Sequence, residues 1–264
     1  IEVKDKSATM WYHPHLMGKT YEHVQLGMSG MLYVDDPPAG DDDSILVELH
    51  ELLPHDYGIN DFPIIVQTKK FFKPCPDEDL QIFTEGFNSD YQYIINGIMN
   101  PSLKIPADLI RFRVLNGDAK YGFNYKIGHR VATATANSQK IGDFHYEVND
   151  FHLIATDAGY TDKSYKLQNV VMGPGERTEW LVDFRNQTIG DSLYLLAINS
   201  EMSQGIIGSG LLDTVRMQLV VGAAKTSSTI SLDDFPIDLH PQEIPEHFPY
   251  TKERIKNFTK NPLE

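Results

Sequence analysis

His13 and His15 lie two apart in an extended run, Thr9-Met-Trp-Tyr-His-Pro-His15. In a strand, positions i and i+2 face the same side. Two imidazoles would then stand side by side, roughly 6 to 7 Å apart at Cα given the strand rise. That spacing suits two ligands for one metal, or one ligand each for two adjacent metals. Imidazole is a borderline donor that suits copper, zinc, iron and nickel. Pro14 donates no ladder hydrogen bond, which places the pair at a strand end or edge. A bare His-x-His is, by itself, more often two histidines meeting in a strand by chance.

Other reactive side chains carry weaker signals. Cys75 is the sole cysteine, so neither an intrachain disulfide nor a Cys-rich zinc site can form. It lies in Lys73-Pro-Cys-Pro-Asp77 with no flanking His and reads as a loop thiol. His23, His129, His145, His152, His240 and His247 show no metal spacing, and His50 with His55 across Pro54 is a poor second pair. Met28 and Met31 flank Gly30 and suit core filling better than cuprous-ion binding. Gly173-Pro-Gly-Glu-Arg177 lacks the Lys-Ser/Thr ending and following helix of a phosphate loop. It is expected to be a structural turn held by an Arg–Glu interaction. Asn186-Gln-Thr188 and Asn257-Phe-Thr259 fit the glycosylation pattern, which is common by chance.

The elements that must position the pair read as β throughout. Short β-branched or alternating runs recur between Gly, Pro, Asn and Asp: Phe62 to Gln67, Ile110 to Leu115, Phe151 to Thr156, Glu179 to Phe184, Ser192 to Ala197 and Thr214 to Val221. Arg111 and Arg113 alternate with Ile110, Phe112 and Val114, which predicts one wet and one buried face. No long amphipathic helix is evident, so an all-β sandwich or barrel is expected. The 264 residues suffice for one large domain, or one domain and part of another. A net charge of -14 argues against nucleic acid and anionic lipid as partners. No apolar run is long enough to cross a bilayer, and no charged-then-apolar leader opens the chain.

Three regions separate. Residues 1–36 hold two strands, around Ala8 to His15 and Ser29 to Val34. Residues 37–44, acidic and Pro-rich, read as linker. Residues 45–222 are dense enough in strands for one complete β domain. Residues 223–264 show no core pattern and read as a linker. Two strands cannot bury a core alone. The first region is therefore expected to belong to a domain whose earlier strands lie outside this chain, and the tail to lead to further chain.

The stretch Trp11-Tyr-His-Pro-His-Leu-Met-Gly18, followed by Gln25-Leu-Gly-Met-Ser-Gly-Met-Leu-Tyr-Val34, resembles the second histidine motif of three-domain multicopper oxidases. Leu53 to Phe71, Ile94-Ile-Asn-Gly-Ile-Met-Asn-Pro101, Arg111 to Gly117, Ile154 to Gly159 and Met172 to Arg177 resemble landmarks of that family's middle domain, in order. The nearest resemblance is to bacterial copper-efflux oxidases, spore-coat laccases and bilirubin oxidases.

The resemblance implies a cupredoxin-like Greek-key β-sandwich: the last strands of domain 1 (1–36), then a copper-free domain 2 (45–222). It implies one-electron oxidation of phenols, bilirubin-like pigments or metal ions, coupled to four-electron reduction of dioxygen to water. His13 and His15 would ligate the type 3 copper pair of a trinuclear cluster, with Trp11, Tyr12 and Met17 packing near it. The family's other cluster histidines and its type 1 Cys are absent from this chain, so the chain alone is expected to be inactive. Domains 1 and 3 of the same protein would be its partners. Periplasmic, secreted or cell-surface placement follows from the resemblance, with cytoplasmic placement open. The competing expectation is a structural or cell-division protein that keeps the fold without catalysis.

Overall fold

The computed structural model describes residues 7–35, 52–72, 75, 76, 79, 81–83, 91–199, 214–226 and 232. The linker expected over 37–44 and most of the tail expected over 223–264 lie outside these residues, as do His50, His240, His247 and Asn257.

An N-terminal unit holds β1 (Ala8–Tyr12), the short helix α1 (Thr20–Gln25) and β2 (Gly30–Val34). The strands that follow are β3 (Asp61–Phe72), β4 (Gln81–Phe83), β5 (Gln92–Ile95), β6 (Ile98–Met99), β7 (Ser102–Pro106), β8 (Leu109–Asn116) and β9 (Phe123–Val131). Then come β10 (Ser138–Ile141), β11 (Phe144–Asn149), β12 (Phe151–Thr156) and β13 (Gly159–Leu167). The last are β14 (Val170–Met172), β15 (Arg177–Asp183), β16 (Ser192–Ile198) and β17 (Thr214–Gly222). One sheet runs β10-β11-β9-β16-β17-β7, with β14 on β9. The other runs β13-β12-β15-β8-β3-β5-β6, with β4 on β3. Non-consecutive neighbours such as β15-β8-β3 are Greek-key crossovers. The all-β expectation holds.

Period-2 patterning sets the faces. In β3, β8 and β15 the inward set is Phe62, Ile64, Val66, Ile110, Phe112, Val114, Trp180 and Val182. It meets Phe123, Tyr125, Ile127, Leu193, Leu195 and Leu219 of the facing sheet. Trp180 stacks near Phe151 (centroids 4.9 Å) and donates its indole N–H to Thr178 Oγ1 at 2.9 Å. Burial of that polar handle therefore costs little. Asn96 and Gly97, both at positive φ, make the tight β5–β6 hairpin turn. Asn96 also bonds the Ile65 amide and the Pro63 carbonyl, tying the hairpin to β3.

Gly128 lies mid-β9 between β11 and β16. A Cβ there would meet Glu147 O at 2.7 Å. Gly128→Val is expected to cost about 1–3 kcal/mol as overpacking, read as a lower urea midpoint with an unchanged slope.

The wet face expected of β8 is not wet. Arg111 and Arg113 are 4 % and 2 % exposed. The alternation does separate two faces, but the polar face is covered by the N-terminal unit. Asp61, Gln67 and Lys69 of β3 and Glu179 of β15 share that covered polar face. Buried charge is tolerable only when paired, and here it is: Arg113 forks onto Asp61 with contacts of 2.7–3.1 Å. Arg111 donates to Glu179 Oε2 from Nε (2.8 Å) and Nη2 (2.5 Å). Beyond the last strand, Lys225 and Thr226 amides donate to Asp108, and Leu232 packs on the small cluster of Leu53, Leu109, Ile154 and Leu181. Leu232 therefore packs, although the sequence shows no core pattern there.

Candidate metal centre

β1 stops at Tyr12, so His13-Pro14-His15 is the exposed continuation of a strand. Pro14 ends the pairing because it has no N–H to give. Although the strand has ended, the two rings stay close, with centroids 5.7 Å apart and planes inclined by 38°. His13 is half-buried and His15 exposed. His13 Nδ1 lies 3.0 Å from the Pro14 carbonyl. In the tautomer that donates from Nδ1, Nε2 keeps its lone pair for a metal.

Trp11 stacks on His13, with centroids at 4.3 Å. Tyr12 points elsewhere: its ring lies over Gly30, where a Cβ would sit 2.5 Å from the hydroxyl. Met17 is 94 % exposed. The pair suits copper in kind, since imidazole is a good copper donor, but two ligands are too few for a closed site. Among the described residues no group of three or more His, Cys, Asp and Glu is arranged to hold a metal. Cys75 is exposed, and His55 Nδ1 is engaged 2.9 Å from the Leu53 carbonyl.

The strand that carries the pair is fixed to the sandwich at several points. Thr9 is buried, and its hydroxyl donates to Glu179 Oε1 at 2.7 Å. Arg177 Nε donates to the Thr9 carbonyl at 3.2 Å. Asp35, just after β2, accepts from Arg113 at 2.7 Å, and the Arg113 guanidinium lies 4.3 Å over the Tyr33 ring. Gln67 donates to Ser29, and Gln25 to the Thr68 carbonyl. Burial pushes the Glu179 carboxyl up, and the Arg111 and Arg113 guanidinium groups with the Thr9 hydroxyl outweigh it. The carboxyl is held below the ordinary range and stays ionised. The Arg–Glu interaction expected at Glu176 and Arg177 does not form as such. Arg177 reaches Asp157 at 3.0 Å instead, while Glu176 caps the Gly173 amide. Glu176 and Arg177 are consecutive at the start of β15, where successive side chains point to opposite faces.

Lys69 closes the end of α1. Its ammonium donates to the Val24 and Gln25 carbonyls at 3.0 and 2.5 Å, the cation-at-C-terminus arrangement that suits the exposed helix carbonyls. Burial pulls its pKa down to about 8, against an opposing pull from Asp118. Between about 8 and the ordinary lysine value the unfolded chain binds the extra proton, so stability rises with pH through that window. Lys69→Met is expected to abolish this rise, read as melting temperatures compared at pH 7.5 and pH 10.

The residues missed by the sequence reading are the tethering ones: Thr9, Arg111, Arg113, Arg177 and Glu179. The signal for some was present, since two arginines and a glutamate on the strand-face positions of otherwise apolar runs are costly unless paired.

An open groove of about 840 Å³ lies between β2 and strands β3 and β5, lined in part by Leu26, Met31, Leu32, Pro63, Ile65 and Ile94. The histidine pair is not among its lining residues.

No family model matches the chain. The multicopper oxidase mco of Staphylococcus haemolyticus is 33% identical over 189 residues, covering 69% of this chain and 34% of that protein. The cell division protein FtsP of Proteus mirabilis is 32% identical over 185 residues, covering 69% and 33%. The chain thus spans about a third of the length of these curated relatives. Among solved structures, McoA multicopper oxidase from Aquifex aeolicus superposes with TM-score 0.69 at 24% identity, over 90% of this chain and 46% of that one. The laccase-like multicopper oxidase CueO from Ochrobactrum sp. gives TM-score 0.63 at 25% identity, over 89% and 45%. The cupredoxin-like sandwich expected from the sequence is therefore borne out. With its sequence shared with a named oxidase over more than two-thirds of its own length, and its sandwich shared with solved oxidases, the chain belongs to the multicopper oxidase family.

Proposed function

We propose that this chain supplies His13 and His15 as type 3 copper ligands to the trinuclear cluster of an oxidase. That enzyme couples oxidation of phenols, bilirubin-like pigments or metal ions to reduction of dioxygen to water. The observation that carries the reading is the pair of adjacent imidazoles on a strand end that the sandwich holds in place. Copper, when bound, supplies the redox chemistry. The chain's own residues do the rest: His13 and His15 present nitrogen donors, Trp11 covers one face of His13, and Glu179 and Arg177 hold β1 through Thr9.

The remaining ligands and the type 1 site would come from outside this sequence. Residues 1–36 would close domain 1, 45–222 would form the copper-free domain 2, and 223–264 would lead toward domain 3. Exposed Leu16, Leu26, Met28 and Leu32 on the N-terminal unit, with the groove beside them, support a seat for further strands of domain 1. Two imidazoles alone would hold copper weakly.

The comparable identity to FtsP favours one second reading, a non-catalytic protein of the same fold. Oxygen uptake separates the two. The full-length gene product is expected to consume dioxygen with a simple phenol and to show the blue band of a thiolate–copper site. A copper-free product that takes up no oxygen would overturn the oxidase reading.

A further inference from the structure

Gly175 lies in the turn between β14 and β15 at φ +82, and a Cβ built on it would fall 2.9 Å from Trp11 Cζ2. The Trp11 indole therefore rests directly against the Gly175 backbone, and its ring also stacks on the His13 imidazole at 4.3 Å with an interplanar angle of 31°. The turn is a firm seat. Gly175 N donates to the Asn116 carbonyl at 2.8 Å, Asn116 N donates to the Glu176 carbonyl at 3.0 Å, and Asn116 is wholly buried. Arg177 joins both sides, donating from Nη1 to the Gly175 carbonyl at 3.0 Å and from Nε to the Thr9 carbonyl at 3.2 Å.

A histidine past the end of a strand has no ladder partner to fix its ring, and a metal ligand must be aimed by its neighbours. His13 has two such neighbours, the Pro14 carbonyl 3.0 Å from its Nδ1 and the Trp11 indole beside its ring. We propose that the Gly175 turn is a positioning element for His13: its missing side chain seats the Trp11 indole, and the indole sets the plane of the imidazole. The relay of Gly175, Trp11 and His13 is metal-free, and its functional weight rests on His13 being a copper ligand. Gly175 thus has two demands on it, positive φ and an absent Cβ, and only the second bears on His13.

Gly190 separates the two demands. It has φ +97 and nothing within 4 Å of a built Cβ, so Gly190→Ala brings the same backbone strain with no indole to displace. The test is the histidine Cε1–Hε1 resonances of the metal-free chain by NMR. Gly175→Ala is expected to move the His13 resonance, and Gly190→Ala to leave it in place. A His13 resonance unmoved by Gly175→Ala, or moved equally by Gly190→Ala, overturns the proposal. If Gly175→Ala does not fold, Trp11→Phe removes the part of the ring that touches Gly175. Gly175→Ala added to Trp11→Phe is then expected to fold and to leave the His13 resonance where Trp11→Phe alone puts it. A further movement, or a failure of that double variant to fold, counts against the proposal. A titration with Cu²⁺ alone tests the ligand reading separately. The His13→Ala/His15→Ala variant is expected to lose the tightest Cu²⁺ binding. Gly175→Ala is expected to weaken it by about tenfold, the low end of losses seen when a ligand's orienting partner is removed. Unchanged Cu²⁺ binding in the double histidine variant sinks the ligand reading and leaves the NMR result standing.

Discussion

Glu179→Ala is expected to destabilise the chain by about 3–5 kcal/mol, the range for removing one member of a buried ion pair. The reason is what remains. Arg111 would lose both of its bonds to the carboxylate, and Arg113 a carboxylate oxygen 4.0 Å away, with both guanidinium groups still buried. Thr9 would lose the acceptor for its hydroxyl. The damage is therefore concentrated where the N-terminal unit meets the sandwich. Trp11 sits in that unit and Trp180 in the core, and the chain has no third tryptophan. In a Trp180→Phe background, Glu179→Ala should shift Trp11 emission to the red at lower urea than it unfolds the sandwich. The pH dependence follows in sign. The Glu179 carboxyl is depressed in the folded chain, so its stabilisation is full above the unfolded glutamate range near 4.3. It is lost as pH falls through the depressed value. The advantage of the natural chain over Glu179→Gln should persist at pH 5 and shrink only in stronger acid.

Trp180→Ala, one residue along on the opposite face of β15, should cost a similar 3–5 kcal/mol for a different reason. It empties the centre of the sandwich between Phe151 and Tyr125, leaving a cavity lined by well-packed aromatics that cannot collapse into it. Here all probes should move together, because the main core holds both sheets. The pair of variants reads the two faces of one strand. If Glu179→Ala unfolds the sandwich as cooperatively as Trp180→Ala does, the N-terminal unit is no separable layer.

The two faces also mark how far the sequence could be read. Alternation in Ile110-Arg-Phe-Arg-Val114 separated Arg111 and Arg113 from the core-facing Ile110, Phe112 and Val114, because a strand repeats every two residues whatever lies around it. It could not reveal that the polar face is roofed over, since the roof is formed by residues far off in sequence: Thr9 and Glu179 are 170 positions apart. The strands around residues 110–115, 179–184 and 192–197 were legible as apolar runs and match β8, β15 and β16. Helix α1 was not, because six residues are under two turns and leave no period to see. At the histidine pair, Pro14 correctly signalled a strand end. The ring neighbours of His13 were partly legible, since Trp11 is two residues away. The seat of Trp11 was not, because Gly175 looks like any turn glycine until the fold brings it under the indole.

The copper content of the full-length gene product, compared with that of its His13→Ala/His15→Ala variant, tests the central claim most directly. The expected result is stoichiometric copper in the natural protein. The variant should show a reduced count that keeps the blue thiolate–copper band and loses oxygen uptake. Equal copper and equal oxygen uptake in the two proteins would contradict the assignment of this pair to the oxygen-reducing cluster.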